Sequence, residues 1–414
     1  MDIYKLREEV KIKMSKVYKS YIIPIKESQK TIDYLYQCNK ETARVWNECV
    51  RLSKELWKNE QKYSDRKYLQ DNIKGNFSDI IPAKAMQITI KKYLGAVRGI
   101  QRARKASRTD LKYPWREKKN YNTIWDSMMF KVDYKKNIIK LSKPKTKENK
   151  NQNPIIIHSK YFPKNIVYAE LTYNGGLFLA LNYWEEESCF QIESNNISAI
   201  DFGEIHSITS TDNLGNNQII TGRKIRSEQR FRNKELTKLN RRLSKCTKGS
   251  RNYKKYRKAI SKLMGKSERK MRNNLKKTAK MYSDYVLINN IKTIVVGDLS
   301  NFNMNFKKQK NKKGRYQKLV QWTHGRIKEL LENNLIRHGV DIVEISEAYT
   351  SQTCPKCGDK HKPTGRNYVC NKCGFTIHRD VLGSYNILSK YINNGEIKDM
   401  NIELKPLKYL RIDC

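Results

Sequence analysis

The sequence predicts a multidomain protein of mixed α and β structure, and three observations support this fold class. The 414 residues exceed the usual length of one domain, and 38% of them are apolar, which is enough for several cores. The apolar pattern changes along the chain from helical spacing to short strand-like runs and back. Four cysteines between residues 354 and 373 have the spacing of a small zinc-bound module.

The first half of the chain predicts a small β-barrel or sandwich with a helical block inserted into it. Residues 17–25 form a strand-like run, and five more runs with turn signals follow within residues 113–184. Between them, residues 31–58 and a segment that begins at Pro82 have apolar residues at helical spacing. The strand at residues 17–25 would complete the β-unit across this helical insertion.

The second half predicts an α/β domain with three buried strands, NISAIDFG, KTIVVGDLS and VDIVEIS. Two short runs after the first strand are its expected antiparallel neighbours. Two long helices, broken near Lys248 and Gly249, should follow them. A further helix is expected before the third strand, and HRDVLGSYNIL predicts a last one.

The charge of the chain indicates a polyanionic partner. It has 85 Lys and Arg against 41 Asp and Glu, a net charge of +44, and a compact chain this basic repels itself unless a polyanion neutralises it. Residues 221–280 hold 24 Lys or Arg and three acids, so we expect this hairpin to lie along a phosphate backbone rather than only in solvent. The expected phosphate contacts, in this hairpin and in the basic end of the second helix, are Arg102, Arg104, Arg241, Arg242, Lys254 and Lys255.

The expected compartment is the bacterial cytoplasm, with association with the nucleoid when the protein is on DNA. No run approaches about 20 apolar residues, so we expect no membrane helix and no membrane partner. The N-terminal MDIYKLREEVKIKM lacks the apolar core of a secretory signal. Five further cysteines are scattered along the chain, as in proteins of a reducing cytosol.

The C-x2-C-x12-C-x2-C spacing predicts one structural zinc ion. Four thiolates form a closed tetrahedral site without an open position for a substrate. Each cysteine pair lies in a knuckle, CPKCG or CNKCG, whose glycine allows the tight turn. His361 and His378 lie nearby in the sequence, and neither is needed. The expected ligands are Cys354, Cys357, Cys370 and Cys373.

Two acids lie where the predicted elements could bring them together. Asp201 ends the first buried strand, and Asp380 lies in the last helix. Alone, Asp201 could begin a turn and Asp380 could cap a helix. A strand that ends in Asp, a hairpin, basic helices, a strand, a helix, a strand and a helix with Asp is, however, the RNase H-like order. In such folds carboxylates hold two divalent cations, one activating a water and one stabilising the leaving 3′ oxygen, and magnesium suits this ligand set.

The segments AIDFG, EAYTSQTCPKCG, YVCNKCGF and HRDVLGSYNIL resemble the TnpB family of transposon-encoded RNA-guided DNA endonucleases, ancestors of compact type V CRISPR effectors. The resemblance covers nearly the whole chain. It implies a monomeric ribonucleoprotein that cleaves double-stranded DNA beside a short transposon-adjacent motif, with a guide RNA from the transposon end. The implied domains are a wedge barrel (residues 1–29 and 108–190), a helical recognition domain (30–107), a RuvC nuclease domain (191–350 and 376–414) and a zinc ribbon (351–375).

One position departs from the family pattern. Most members resembling this chain have a glutamate where TIVVGDLS has Gly297, so Asp298, Glu344 or Glu347 could replace it, or the site could be inactive. Parallel strands at 291–297 and 340–346 would end beside Asp201, which favours Glu347, whereas the side-chain parity of Glu344 points it elsewhere. Asp298 is also present in members that keep the glutamate. Some relatives, including eukaryotic Fanzor proteins, resemble this chain in having a glutamate on the later strand.

The proposed catalytic and magnesium-binding residues are therefore Asp201, Glu347 and Asp380 around two magnesium ions, with Asp201 bridging both. Three alternative functions remain open from the sequence. The chain could be an RNA-guided DNA-binding repressor that has lost cleavage, a transposase acting directly on transposon ends, or a generic zinc-ribbon protein that binds nucleic acid. Retention of Asp201, Asp380 and the zinc cysteines argues against the repressor.

Overall fold

The computed structural model describes residues 13–73, 80–106, 108–144, 152–298, 323–363 and 365–412. The chain divides into two compact units, one of residues 15–187 and one made mainly of residues 188–414. The predicted mixed α and β multidomain class is thereby confirmed, and the finer division into six segments stays a prediction. Within the described ranges, no helix is both long and apolar enough to cross a membrane.

In the described part of the first unit the α-helices are α1 (Gln29–Glu60), α2 (Arg66–Ile73) and α3 (Ala83–Lys105). The hydroxyl of Ser28 accepts a hydrogen bond from the Thr31 amide and so begins α1. Both predicted long helices are confirmed. The short helix α2 was not predicted, because eight residues give too few apolar positions for a helical period to be recognised.

The strands of the first unit form two hydrogen-bonded sheets, in the orders β1-β7-β6-β2 and β3-β4-β5. The pairing of β1 with β7 confirms that the first strand joins the β-unit across the helical insertion. Closure into a wedge barrel stays a prediction. The strands are β1 (Lys13–Pro24), β2 (Thr123–Asp126), β3 (Phe130–Asp133), β4 (Ile138–Leu141), β5 (Ile155–His158), β6 (Ile166–Tyr173) and β7 (Leu177–Cys189).

The second unit is built on a sheet of order β12-β11-β8-β9-β10-β15. Strand β11 is parallel to both β8 and β12, and β9 is antiparallel to both β8 and β10. The strands are β8 (Asn196–Asp201), β9 (His206–Asp212), β10 (Asn217–Thr221), β11 (Ile291–Gly297), β12 (Asp341–Ile345), β15 (Lys408–Leu410) and the separate hairpin β13 (Asn367–Val369) and β14 (Thr376–His378).

Among the described residues of the second unit, the α-helices are α4 (Arg223–Ser244), α5 (Arg251–Ile288), α6 (His324–Leu335) and α7 (Arg379–Ile392). The break between α4 and α5 includes Lys248 and Gly249, as predicted. The order of the described elements is the one predicted for an RNase H-like domain.

The two faces of this sheet carry different helices. On one face, residues of α5 and α6 such as Tyr282 and Leu331 share a core with Ile294 of β11. On the other face, Ile387 and Leu388 of α7 pack in a core with Ala199 of β8 and Val295 of β11. Side chains alternate along a strand, so position 201, two residues after Ala199, is directed to the α7 face, where the candidate site lies.

Candidate active site and zinc cluster

The three parallel strands end at one edge of the sheet. Val296 of β11 is paired with Ile200 of β8 on one side and with Glu344 of β12 on the other. Asp201, the last residue of β8, therefore lies next to the end of β11. Gly297 pairs with Ile345, and Glu347 follows two residues later with the same side-chain parity.

Glu347 occupies the space that a side chain at position 297 would need. A β-carbon added to Gly297 would overlap the Glu347 carboxylate and would lie 3.0 Å from its Cδ. Real β-carbons essentially never come this close, so only glycine at position 297 is compatible with the observed position of Glu347. The glycine and the displaced glutamate are thus two parts of one arrangement.

A second glycine makes room for Asp201. Gly383 lies in the second turn of α7, and a β-carbon added there would overlap the Asp201 carboxylate and would lie 3.1 Å from its Cγ. Asp380 is three residues earlier in the same helix, which places it one turn away on the same face. The sheet edge and α7 therefore enclose the Asp201 carboxylate, with Glu347 on one side and the start of α7 on the other.

Asp380 is held by two histidines. The buried side chain of His206, at the start of β9, donates from Nδ1 to Asp380 Oδ2 at 2.6 Å. The ring of His378 caps α7, since its Nδ1 accepts from the Asp380 amide at 3.3 Å. The Tyr409 hydroxyl lies 3.1 Å from His378 Nε2. These contacts fix both the backbone and the carboxylate of Asp380.

The pKa values of the three acids are shifted in opposite directions. Burial, reinforced by the charges of Glu347 and Asp380, raises the pKa of Asp201 to about 7. Burial and the nearby Asp298 raise the pKa of Glu347 to about 7. Burial alone would raise the pKa of Asp380, but the hydrogen bond from His206, together with the charges of His206, His378 and Arg379, outweighs it and lowers this pKa.

Asp201, Glu347 and Asp380 lie in the same region, but their carboxylate oxygens do not all lie within 4.8 Å of one another. Among the described residues, potential ligand atoms of His206, His378 and Asp380 lie within 4.8 Å of one another, and Asp201, Glu347 and Asp380 do not form such a compact group. The Asp380 carboxylate is turned toward His206. A cation held by Asp201, Glu347 and Asp380 would therefore require Asp380 to adjust.

The two other candidates for the missing acid have different surroundings. Glu344 is exposed on the opposite face of β12, where Lys328 of α6 contacts its carboxylate. Asp298 continues the strand pairing through its amide, which donates to the Ile345 carbonyl at 2.7 Å. The charge of Asp298 raises the pKa of Glu347, so Asp298 lies close to the site. The side-chain space at Gly297, however, is filled by Glu347.

The four predicted zinc ligands form one cluster whose sulfur atoms lie within 4.8 Å of one another. The pairs Cys354–Cys373 and Cys357–Cys370 have sulfur separations of 3.6 and 3.4 Å. Zinc–sulfur bonds of about 2.3 Å in a tetrahedron require sulfur separations of about 3.8 Å, so the residues fit a zinc ion. The knuckle glycines Gly358 and Gly374 have φ values of +74° and +72°, which explains the predicted need for glycine.

The predicted nucleic-acid contacts are all exposed, and four of them lie together along the chain at one end of the α4–α5 hairpin. Arg241 and Arg242 are in the last turn of α4, and Lys254 and Lys255 are in the first turns of α5. In the first unit, Arg104 lies near the end of α3 with its Cζ 5.2 Å from the centre of the Tyr113 ring. Arg102 lies in the same helical turn.

Sequence reasoning did not find several residues that shape the site. His206 and Asp380 are separated by 174 positions, and no spacing rule connects them. Gly383 looks like an ordinary small residue in a helix. The residues Asn386 and Lys390 of α7, which contact the segment around Glu347, also carry no local signal.

Comparisons with known proteins agree with this architecture. A family model described as "Probable transposase" matches residues 184–303, and one described as "Cas12f1-like, TNB domain" matches residues 324–387. A TnpB-like protein of Methanocaldococcus jannaschii is 29% identical over 152 residues, 36% of this chain and 53% of the relative. The chain thus spans about half the length of this curated relative.

Two solved structures share the fold. A Cas12f1 protein in complex with single guide RNA and target DNA superposes with a TM-score of 0.55 at 17% identity, over 87% of this chain and 83% of that one. The mini-RNA-guided endonuclease CRISPR-Cas phi3 has a TM-score of 0.50 at 10% identity, over 92% and 93% of the two chains.

The chain thus shares its fold with these compact Cas12 structures, and residues 184–303 and 324–387 match the two family models. These matches support the resemblance to the TnpB family.

Replacing Gly297 with alanine should weaken divalent-cation binding at least tenfold, because the new β-carbon displaces the Glu347 carboxylate. Titration of the purified protein with Mn²⁺, followed by electron paramagnetic resonance, measures the affinity. Gly325→Ala in α6 is the matched control, since no atom lies within 4 Å of its added β-carbon. Equal affinities of the two variants would contradict the assigned position of Glu347.

Asp201→Asn should stabilise the protein at pH 8. The folded pKa of Asp201 is about 7 and its ordinary value is 3.8, so folding takes up a proton between these values and stability falls as pH rises through them. In buffer freed of divalent cations, the free energy of unfolding of the variant should exceed that of the wild type by about 1 kcal/mol or more at pH 8 and should equal it at pH 4. This size follows because one pKa unit corresponds to about 1.4 kcal/mol. Urea unfolding measures this, with the exposed Asp284→Asn as control; a gain independent of pH would refute the explanation.

Proposed function

We propose that this protein is a magnesium-dependent, RNA-guided endonuclease that cleaves double-stranded DNA beside a short transposon-adjacent motif. The guide would be an RNA from the transposon end. The observation that carries the proposal is that the Glu347 carboxylate occupies the side-chain space of Gly297, beside Asp201 and the helix of Asp380. Glu347 would thereby supply the carboxylate that most members of the resembled family have at the position of Gly297.

The chemistry of the donor set supports magnesium as the cation. Asp201, Glu347 and Asp380 offer hard carboxylate oxygens, which Mg²⁺ prefers over nitrogen and sulfur donors. Burial first and neighbouring negative charge second raise the pKa values of Asp201 and Glu347, and a divalent cation would stabilise the ionised form of both carboxylates. When bound, two magnesium ions would supply polarisation of the scissile phosphate and activation of water.

The protein's own residues would position these ligands. The hydrogen bond from His206 keeps Asp380 ionised and therefore able to act as a ligand at neutral pH. The exposed Arg379 lies next to Asp380, where its charge limits the rise in the pKa of Asp201 and contributes to the lowered pKa of Asp380. Its guanidinium would also attract the phosphate of an approaching DNA strand. Asp201, enclosed between Glu347 and α7, would hold the cations together with Glu347 and Asp380.

Nucleic-acid partners are supported by charge and by the relatives. The +44 net charge and the exposed cations at the end of the α4–α5 hairpin favour a phosphate backbone. The Cas12f1 structure that shares this fold was solved with single guide RNA and target DNA. We propose a guide RNA and a double-stranded DNA target for this chain, in a ribonucleoprotein with one copy of the protein.

The cysteine cluster would hold one structural zinc ion. Its four sulfurs have the separations that a tetrahedral ion requires, and burial of Cys354 closes one side of the site. Hydrogen bonds from the amides of Cys373 and Lys372 and from the neighbouring thiols together outweigh burial and lower the pKa of Cys370 to about 6, whereas burial raises the pKa of Cys354 to about 12. Cys370 therefore favours the thiolate that zinc requires, and zinc would have to displace the proton of Cys354.

Glu347→Gln should retain folding and target binding and lose cleavage by at least about a hundredfold, since even residues behind metal ligands contribute 10- to 100-fold. Cleavage by the assembled ribonucleoprotein in Mg²⁺ measures this, and Asp298→Asn should cost much less. Cleavage by Glu347→Gln at the wild-type rate would exclude the assignment. Target binding without any cleavage by the wild type would instead favour the nuclease-inactive repressor.

Lys255→Gln should make nucleic-acid binding less dependent on salt. Loss of one phosphate contact should reduce the slope of log K against log salt by about 0.9 without changing sequence preference. Lys280→Gln in the same helix is the control, because its Nζ lies 3.1 Å from Asp284 Oδ1 and is already neutralised. Fluorescence anisotropy between 50 and 300 mM salt, roughly the range in which such slopes are read, distinguishes the variants; equal slopes would remove Lys255 from the interface.

A further inference from the structure

Glu347 lies beyond the end of its strand. Strand β12 ends at Ile345, and residues 346–350 continue as a turn without strand pairing. Asp201 is the last residue of a paired strand and Asp380 lies in a helix, so regular structure holds their backbones. The backbone of Glu347 needs another support if its carboxylate is to stay at the Gly297 position.

Lys390 supplies bonds on both sides of Glu347. Its ammonium donates to the Ala348 carbonyl at 2.6 Å and to the Ser346 carbonyl at 3.3 Å. These are the residues immediately before and after Glu347. Charge-assisted bonds of this kind are stronger than neutral ones, and a lysine bridging two carbonyls restricts the peptide groups between them.

Asn386, one turn earlier on the same face of α7, holds the next part of the turn. Its buried amide donates to the carbonyls of Thr350 and Thr353 at 2.7 and 2.8 Å. Thr350 in turn bonds to the Glu347 carbonyl through its amide at 3.2 Å and its hydroxyl at 2.8 Å. The backbone of Glu347 is therefore linked to α7 from both directions.

We propose that Lys390 and Asn386 are positioning residues that hold Glu347 as a cation ligand. This inference rests on the proposed function and deepens it. The displaced glutamate works from a turn because the helix that carries Asp380 and contacts Asp201 also fixes that turn. A lysine thus acts in a cation site through backbone carbonyls, without contacting the cation.

Lys390→Met tests the proposal, since it keeps the length of the side chain and removes its donors. Lys398→Met is the matched control: it removes the same charge, and the Lys398 side chain is exposed and pairs with Glu396. We expect Lys390→Met to weaken Mn²⁺ binding to the purified protein at least tenfold and to reduce cleavage, with target affinity and thermal midpoint equal to those of Lys398→Met. Lys390→Arg, which retains donors, should recover most of the loss.

The outcomes separate this inference from the proposed function. Mn²⁺ affinity equal in Lys390→Met and Lys398→Met overturns the positioning role, as does a loss that is matched by release of zinc or a lower thermal midpoint. If Glu347→Gln weakens Mn²⁺ binding and Lys390→Met does not, only the positioning role fails. If Glu347→Gln leaves Mn²⁺ binding unchanged, the assignment of Glu347 in the proposed function fails as well.

Discussion

The packing of α7 on the sheet is the constraint on which the rest of the site depends. Ile387 and Leu388 anchor the helix against the sheet. From this position α7 supplies Asp380, approaches the sheet closely enough at Gly383 to enclose Asp201, and reaches the turn of Glu347 through Lys390. A helix rises by a fixed amount per residue, so these contacts share one rigid body, and a displacement of α7 would move all three acids relative to one another.

If Glu347 acts as proposed, an exchange of the acid between positions 297 and 347 would preserve the geometry of the site. The side-chain space at the end of β11 is filled in either arrangement, by a residue of β11 itself or by one that follows the neighbouring strand. Adjacent strands are about 4.8 Å apart, a distance that a glutamate side chain can span. In its observed position Glu347 requires glycine at 297, because a β-carbon there would overlap its carboxylate. Crowded, buried carboxylates also cost stability, and this cost is typical of sites that bind cations.

Much of this organisation could be predicted from the sequence. Apolar periodicity indicated the long helices and the three parallel strands, and the parity of side chains distinguished Glu347 from Glu344, which the structure places on opposite faces of β12. The contact of His206 with Asp380 could not be predicted, since it depends on the pairing of strands far apart in the sequence. The bonds of Lys390 to backbone carbonyls could not be predicted either, because nothing in the sequence distinguishes this lysine from the many others in a basic chain.

The cysteine cluster lies in the segment that connects two of the candidate acids. Glu347 and Asp380 lie on either side of the segment that contains the four cysteines, and closing such a segment carries an entropic cost. Cys354 and Cys370 share a small core with Leu382 of α7, so the cluster is packed against the helix that positions the acids. A zinc ion there would make the inserted segment rigid and thereby reduce the freedom of the two acids at its ends. With zinc bound, the insert would therefore support the site in addition to any contact with nucleic acid.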